Sequence, residues 1–293
     1  MIFNTIELMA PILLAAIGGL FAERAGVLNI ALEGLILVGA FAAIVFGALT
    51  GSVTFAFTAA AAASVMLASI FAFAALRLRA NIFVAGLATN LFATGLIPFV
   101  SNALFSTKGV VRLAGVPAVP RLVPALRSLP VVGPVFFTHT ISVYLALAAT
   151  VVAAVVLTKT RFGLRISAAG LNAEALRARG CRPERYQAIA ILISGALSGL
   201  AGAAIVLRLG VYLPNVSAGR GWIALVAIFL GYRRPIGVLI AAFVFAFSES
   251  LAVAAQGMLQ MPGTVLLALP YVLTVVAMIV YSIFRSMHRS RRA

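Results

Sequence analysis

The chain alternates between long stretches with almost no charge and short polar breaks. Residues 25–76 carry a single charge, Glu33; residues 80–107, 128–158 and 186–207 carry none; residues 235–284 carry only Glu249. A helix that crosses the hydrocarbon layer needs about 20 apolar residues, so the longer stretches each hold two crossings folded back on themselves. The pattern has no strand-like alternation, and in lipid every backbone amide must be satisfied internally, so these segments are predicted to be helices. Turn residues and charges place the spans near residues 6–22, 25–47, 52–76, 82–105, 139–157, 188–207 and 235–256, with a last one near 264–284. The piece GWIALVAIFLG at 221–231 is too short to cross and reads as half of a broken or re-entrant helix. The expected fold is therefore an all-α polytopic membrane protein of about 8–10 transmembrane helices, with residues 1–293 forming one transmembrane domain. No basic residue precedes the first apolar run, so no cleavable signal peptide is expected.

Composition agrees with the pattern and adds an orientation. Of 293 residues 63% are hydrophobic and 10% charged, with a mean hydropathy of +1.16; a soluble domain is about a quarter charged, so an ordinary soluble enzyme is excluded. There are 22 basic residues, six Glu and no Asp, giving a formal charge of +16. Nucleic-acid binding is a poor explanation of this excess, because membrane proteins collect Arg and Lys in cytoplasmic loops. Seven basic residues (Lys159, Arg161, Arg165, Arg177, Arg179, Arg182, Arg185) lie in the loop 158–187, and Arg285, Arg289, Arg291 and Arg292 lie in the C-terminal tail. With both facing the cytoplasm, alternation adds Arg24, Arg77, Arg79, Arg233 and Arg234, and leaves Lys108, Arg112, Arg121, Arg127, Arg208 and Arg220 for the other side. The C-terminus is then cytoplasmic and, with nine crossings, the N-terminus outside. The outer loop, 106–138, contains five prolines; a loop of that length is a rigid lid over helix ends or a contact for an extracytoplasmic partner. Cys181 is the only cysteine, so no intrachain disulfide can form.

The residue types needed for covalent chemistry are missing. There is no phosphate-binding G-x-x-x-x-G-K-[ST] motif, and without Asp there is no Asp-based Mg²⁺ site. His139 and His288 stand at a loop end and in the tail, which makes a zinc or haem site improbable. No cofactor is expected on this chain. Transport, sensing or scaffolding remain.

Two sets of residues carry the candidate function. In GLNAEALRARGCRP, Asn172 is a suitable N-cap, Glu174 falls in the first turn, Arg177 and Arg179 lie near the C-terminal end, Gly180 suits the C′ position and Pro183 blocks continuation. Residues 173–179 thus read as a short capped helix outside the membrane, either lying on lipid headgroups or docking into a cytoplasmic partner. Inside the membrane blocks, Asn29, Glu33, Asn90, Ser248 and Glu249 are polar. They line a pathway for a hydroxyl-rich solute or make interhelical hydrogen bonds that fix packing. SGALSGLAGA, with Gly195, Gly199 and Gly202, has the small-xxx-small spacing of close helix packing.

Four segments, in order along nearly the whole chain, resemble permeases of ATP-binding cassette (ABC) importers for simple sugars and nucleosides, within the branched-chain amino acid/ribose-type superfamily. They are ERAGVLNIALEG at 23–34, GLNAEALRARG at 170–180, SGALSGLAGA at 194–203 and GRGWIALVAIFLGYRRPIG at 219–237. The first is most similar to the nucleoside branch. Cys181 departs from a larger aliphatic residue common there, and Tyr232-Arg233-Arg234 is more basic than usual. The resemblance implies a multi-pass permease of the bacterial inner membrane, importing a nucleoside, a monosaccharide or a riboflavin-like compound by alternating access. It further implies a separate ATPase subunit that uses ATP and Mg²⁺, a second and usually different permease chain, and an extracytoplasmic solute-binding protein. Asn172, Ala173, Glu174, Ala175, Leu176, Arg177, Arg179 and Gly180 would form the coupling helix that seats in the ATPase. The alternative from another class is an ion- or proton-coupled secondary transporter, which would need paired acids near the midplane.

Overall fold

A computed structural model describes residues 1–120 and 139–258 of the chain. The span expected near 264–284, the basic tail and most of the outer loop lie outside the described residues. The described part is built from helices: α1 (Ile2–Arg24), α2 (Leu32–Thr50), α3 (Val53–Ala72, continued by a π-helical turn Phe73–Arg77), α4 (Ile82–Phe105), α5 (Ile141–Lys159), α6 (Arg161–Leu171), α7 (Ala173–Ala178), α8 (Pro183–Leu209), α9 (Arg220–Leu230) and α10 (Pro235–Met258). An isolated antiparallel bridge joins Val111 to Tyr212. Seven of these helices, α1–α5, α8 and α10, are long and apolar enough to cross a membrane. The chain is a polytopic helical membrane protein, as its pattern requires.

α1 and α8 form the centre. α8 packs along α1, α2 and α3, and α1 also touches α10, α5 and α9. The most apolar window of α1 is 89% buried, whereas that of α4, at the periphery, is 28% buried. The small residues of α8 set its distance from its neighbours. A Cβ on Gly199 would lie 2.4 Å from the Ala60 carbonyl oxygen, and one on Gly202 would lie 2.2 Å from that of Ile36. Backbones this close gain van der Waals contact that larger side chains would forbid, so the small-residue spacing does what the sequence suggested.

Contacts between loops define the two ends. At one end Arg233 pairs with Glu23 at 2.8 Å, the Gln187 side-chain amide donates to the Ala25 carbonyl at 3.2 Å, and Arg77 and Arg79 share a cavity with Arg182 and Arg185. This is the basic end: among the described residues, Arg77 and Arg79 meet the arginines of the 158–187 loop there, as charge counting grouped them. At the opposite end lie the Val111–Tyr212 bridge and a knot in which Glu7 accepts from Thr140 through both its N–H and its hydroxyl, each at 2.8 Å.

Three departures from the sequence reading bear on function. The apolar run 25–47 is not one helix: α2 starts at Leu32, and residues 25–31 form an irregular turn with Gly26 at φ +82°. The loop 158–187 holds an extra helix, α6, whose Gly163, Ile166 and Ala169 are buried at three-residue spacing. α8 begins at Pro183, five residues before its apolar run, because proline suits the first helical position and the polar first turn extends beyond the membrane segment.

Candidate functional site

The interior is organised around two helix breaks. The first is the 25–31 turn, which leaves backbone groups without intrahelical partners in an apolar surrounding, where each costs several kcal/mol if unmatched. Asn90 on α4 supplies two of the missing partners. Its Oδ1 accepts the Gly34 N–H at 2.8 Å, and its Nδ2 donates to the Ile30 carbonyl at 2.9 Å. Asn29 holds the turn from within: its Oδ1 accepts the Ala31 N–H at 3.1 Å and its Nδ2 donates to Ser194 Oγ of α8 at 2.8 Å.

The second break is between α8 and α10. α8 ends with Gly210 in the left-handed conformation, φ +67°. Residues 210–219 are irregular, and α9 then runs back to Arg233 at the basic end. With 11 residues, α9 spans about 16 Å, half the hydrocarbon thickness, so the expected half-helix exists. Its N-terminus is buried, and Glu33 caps it. Glu33 Oε1 accepts from the Gly219 N–H at 2.8 Å and from the Ser217 hydroxyl, while Oε2 accepts the Gly221 N–H at 2.8 Å. A carboxylate there matches both the orphan donors and the positive end of the helix dipole. The fit requires glycine: a Cβ on Gly221 would lie 2.5 Å from the Glu33 backbone nitrogen.

The five polar residues expected inside the membrane therefore divide into two groups. Asn29, Glu33 and Asn90, 2%, 8% and 9% exposed, knit the two breaks together. Ser248 and Glu249, on α10, stand apart. Glu249 forms an ion pair with Arg220, and both side chains are largely buried. Ser248 Oγ and Glu249 Oε2 find no hydrogen-bond partner among the described residues. Charge counting placed Arg220 on the outer side; in the structure it is the first residue of α9, inside the bundle. Nothing local in the sequence joins Arg220 to Glu249, because they are 29 residues apart on different elements. Beside Arg220, a cleft of about 410 Å³ opens between α1, α8 and the 210–219 segment, lined among others by Leu8, Pro11, Arg208 and Asn215.

At the basic end the capped helix forms as its sequence indicates. Asn172 Oδ1 accepts the Ala175 N–H at 3.0 Å. Gly180 adopts φ +75°, its N–H meets the Arg177 carbonyl at 2.8 Å, and the Cys181 N–H meets that of Leu176 at 3.2 Å. These two bonds are the Schellman closure that left-handed glycine allows. Among its residues only Leu176 is buried; Asn172, Glu174, Ala175, Arg177, Arg179 and Gly180 are exposed and Ala173 is half-buried. Arg177 pairs with Glu184 at the start of α8. The helix is a rigid knob held by one apolar foot. α6 joins this knob to the first break: a Cβ on Gly170 would lie 2.4 Å from the Arg24 carbonyl oxygen and 2.6 Å from the Gly26 nitrogen.

The described residues thus form a multi-pass bundle with two interior helix breaks and an exposed capped knob. Residues 1–281 match the family described as the permease component of branched-chain amino acid transport systems, and the chain belongs to that family. It is 33% identical over 289 residues to the nucleoside ABC transporter permease protein NupC of Lactococcus lactis subsp. cremoris, covering 95% of this chain and 90% of that one. It is 33% identical over 292 residues to the guanosine ABC transporter permease protein NupQ of Bacillus subtilis, covering 94% and 89%. Over 257 residues, 87% of this chain and 77% of the relative, it is 33% identical to the putative glucose ABC transporter permease protein TsgC13 of Haloferax volcanii. No solved structure matches the chain significantly. The family is one of permease components rather than enzymes, and its ABC relatives favour that class over a secondary transporter.

Proposed function

We propose that the chain is the nucleoside-translocating permease subunit of an ATP-driven importer in the bacterial inner membrane, its basic end and C-terminus facing the cytoplasm. The observation that carries this reading is the exposed, doubly capped knob α7 at the basic end, a shape suited to docking into another protein. A separate ATPase subunit, using ATP and Mg²⁺, receives Asn172 to Gly180. A second, different permease chain completes the membrane unit, and an extracytoplasmic binding protein delivers the solute. Residues 1–293 act as one transmembrane domain, and no cofactor is carried by this chain.

Movement of the knob passes to the interior through α6. Gly170 abuts Arg24 and Gly26, so a shift of α6 displaces the 25–31 turn; Asn29 and Asn90 hold that turn, and Glu33 links it to the N-terminus of α9. Alternating access then amounts to rocking the two breaks together. In this reading Ser248 and Glu249 face the solute path, and the 410 Å³ cleft beside Arg220 has the size of small-molecule sites. Asn29, Glu33 and Asn90 form the frame of the path.

The nucleoside assignment is supported by the names of the bacterial relatives, and a monosaccharide is the second reading because the archaeal relative is named for glucose. Uptake of labelled uridine in cells carrying the complete system, competed by adenosine, guanosine, glucose and ribose, tests it. Competition by nucleosides alone is expected; competition by the sugars alone would replace the solute. Purification of the chain without any ATP-binding subunit would remove the importer reading altogether.

A further inference from the structure

A second basic feature lies at the same end, on the flank of α7 away from α6. A cavity of about 920 Å³ is bounded by the end of α3 and the start of α8, and five arginines line it: Arg77, Arg79, Arg177, Arg182 and Arg185. The one acid in its wall, Glu184, is already paired with Arg177. Among the described residues Arg77, Arg79 and Arg185 have no carboxylate within ion-pair distance. Three unpaired guanidinium groups around one cavity attract an anion strongly, and planar guanidinium forks suit phosphate oxygens.

An apolar track leads to these arginines. Met66 and Ile70 of α3 and Phe73 of its π-helical continuation, spaced by four and three residues, lie along one face and are 64%, 56% and 58% exposed. Arg77 follows four residues later, at the end of the π-helical turn, and Leu76 lines the cavity itself. An exposed apolar stripe that ends on unpaired arginines offers two surfaces at once: one for hydrocarbon chains and one for a phosphate placed where the hydrocarbon ends. Basic pockets between transmembrane helices take anionic headgroups in this way. We infer that this cavity binds the phosphodiester headgroup of an acidic phospholipid, with its acyl chains along Met66, Ile70 and Phe73. An acidic protein surface would use the arginines but not the track. The site does not depend on the transported solute; it shares Arg177 and Gly180 with the segment proposed to enter the ATPase, so the test variants are confined to Arg77, Arg79 and Arg185.

The test uses the full chain purified in mild detergent, with phosphatidylglycerol or phosphatidylcholine titrated in and the lipid-bound fraction read by native mass spectrometry. Phosphatidylglycerol is expected to bind in preference to phosphatidylcholine. A charge near an anionic lipid surface is worth enough that each arginine removed in R77Q, R79Q and R185Q should weaken retention about fivefold. The charge-keeping set R77K, R79K and R185K should retain the lipid, which separates loss of charge from loss of fold. Glycerol 3-phosphate at the same concentration should not displace it. Undiminished phosphatidylglycerol binding by the glutamine variants would overturn the site. Displacement by glycerol 3-phosphate would make it a soluble-anion site instead. Glutamine variants that keep the lipid but lose an ATP-binding subunit would assign the surface to that protein.

Discussion

Glu33, in the first turn of α2, accepts the backbone N–H of Gly221 at 2.8 Å and so closes the N-terminus of a helix that lies 188 positions further along the chain. One acidic side chain thereby fixes the relative position of both interior helix breaks. Removing it leaves the buried Gly221 N–H and the part-buried Gly219 N–H without acceptors, at about 1–3 kcal/mol for a fully buried orphan. Glu33→Ala should lower the thermal midpoint of the purified protein by several degrees. Glu33→Gln retains one oxygen acceptor and should lie between that variant and the parent. Equal midpoints for Glu33→Ala and the parent, in a detergent-based unfolding scan, would show that the cap does not stabilise the break.

Gly221 tests the same contact from the other side. A Cβ there would approach the Glu33 backbone nitrogen to 2.5 Å, and the neighbour is backbone rather than a flexible chain end. Overpacking of this kind costs about 1–3 kcal/mol. Gly221→Ala is expected to cut the yield of monodisperse protein in size-exclusion chromatography, whereas Gly180→Ala, with no neighbour within 4 Å, should leave yield unchanged and strain only the left-handed cap of α7.

The Arg220–Glu249 pair should behave as a buried salt bridge. Breaking one partner leaves an uncompensated charge, at about 3–5 kcal/mol, whereas replacing both with apolar residues of similar size is close to neutral. Arg220→Met and Glu249→Leu should each destabilise strongly, and the double variant should recover most of the loss. A double-mutant cycle on thermal stability reads the coupling; additive effects would mean that the pair contributes nothing. Under the transport proposal the double variant should still lose uptake, because Glu249 faces the solute path.

The cap of α7 offers a local measurement. Asn172→Ala removes the acceptor for the Ala175 N–H, a loss of about 1 kcal/mol. Hydrogen exchange across residues 173–178 should accelerate about fivefold while the protection of α8 stays the same. If α7 couples an ATPase to transport, the variant should also keep the ATPase bound while lowering uptake per ATP hydrolysed.

The sequence alone determined what depends on composition and local pattern. Charge-free runs of sufficient length forced transmembrane helices, because an unpaired amide in lipid is too costly for any other spanning form. Asn172, Gly180 and Pro183 fixed the α7 knob, since capping geometry is decided within a few residues. The short apolar piece at 221–231 already implied a half-helix from its length. α6 also has a local signal, since Gly163, Ile166 and Ala169 repeat at three-residue spacing.

Only the tertiary structure decided which partners the interior polar residues find. Asn29, Glu33, Asn90 and Glu249 carry no local signal that separates a solute path from a structural bond. The partners they find are far away in sequence: Ser194 for Asn29, Gly34 and Ile30 for Asn90, Gly219 and Gly221 for Glu33, Arg220 for Glu249. The break at 25–31 was hidden for the same reason. An uninterrupted apolar run looks like a helix until a side chain from another helix supplies the hydrogen bonds that let the backbone turn. Hydrophobic pattern sets how many segments enter the membrane, and long-range hydrogen bonds decide where they bend.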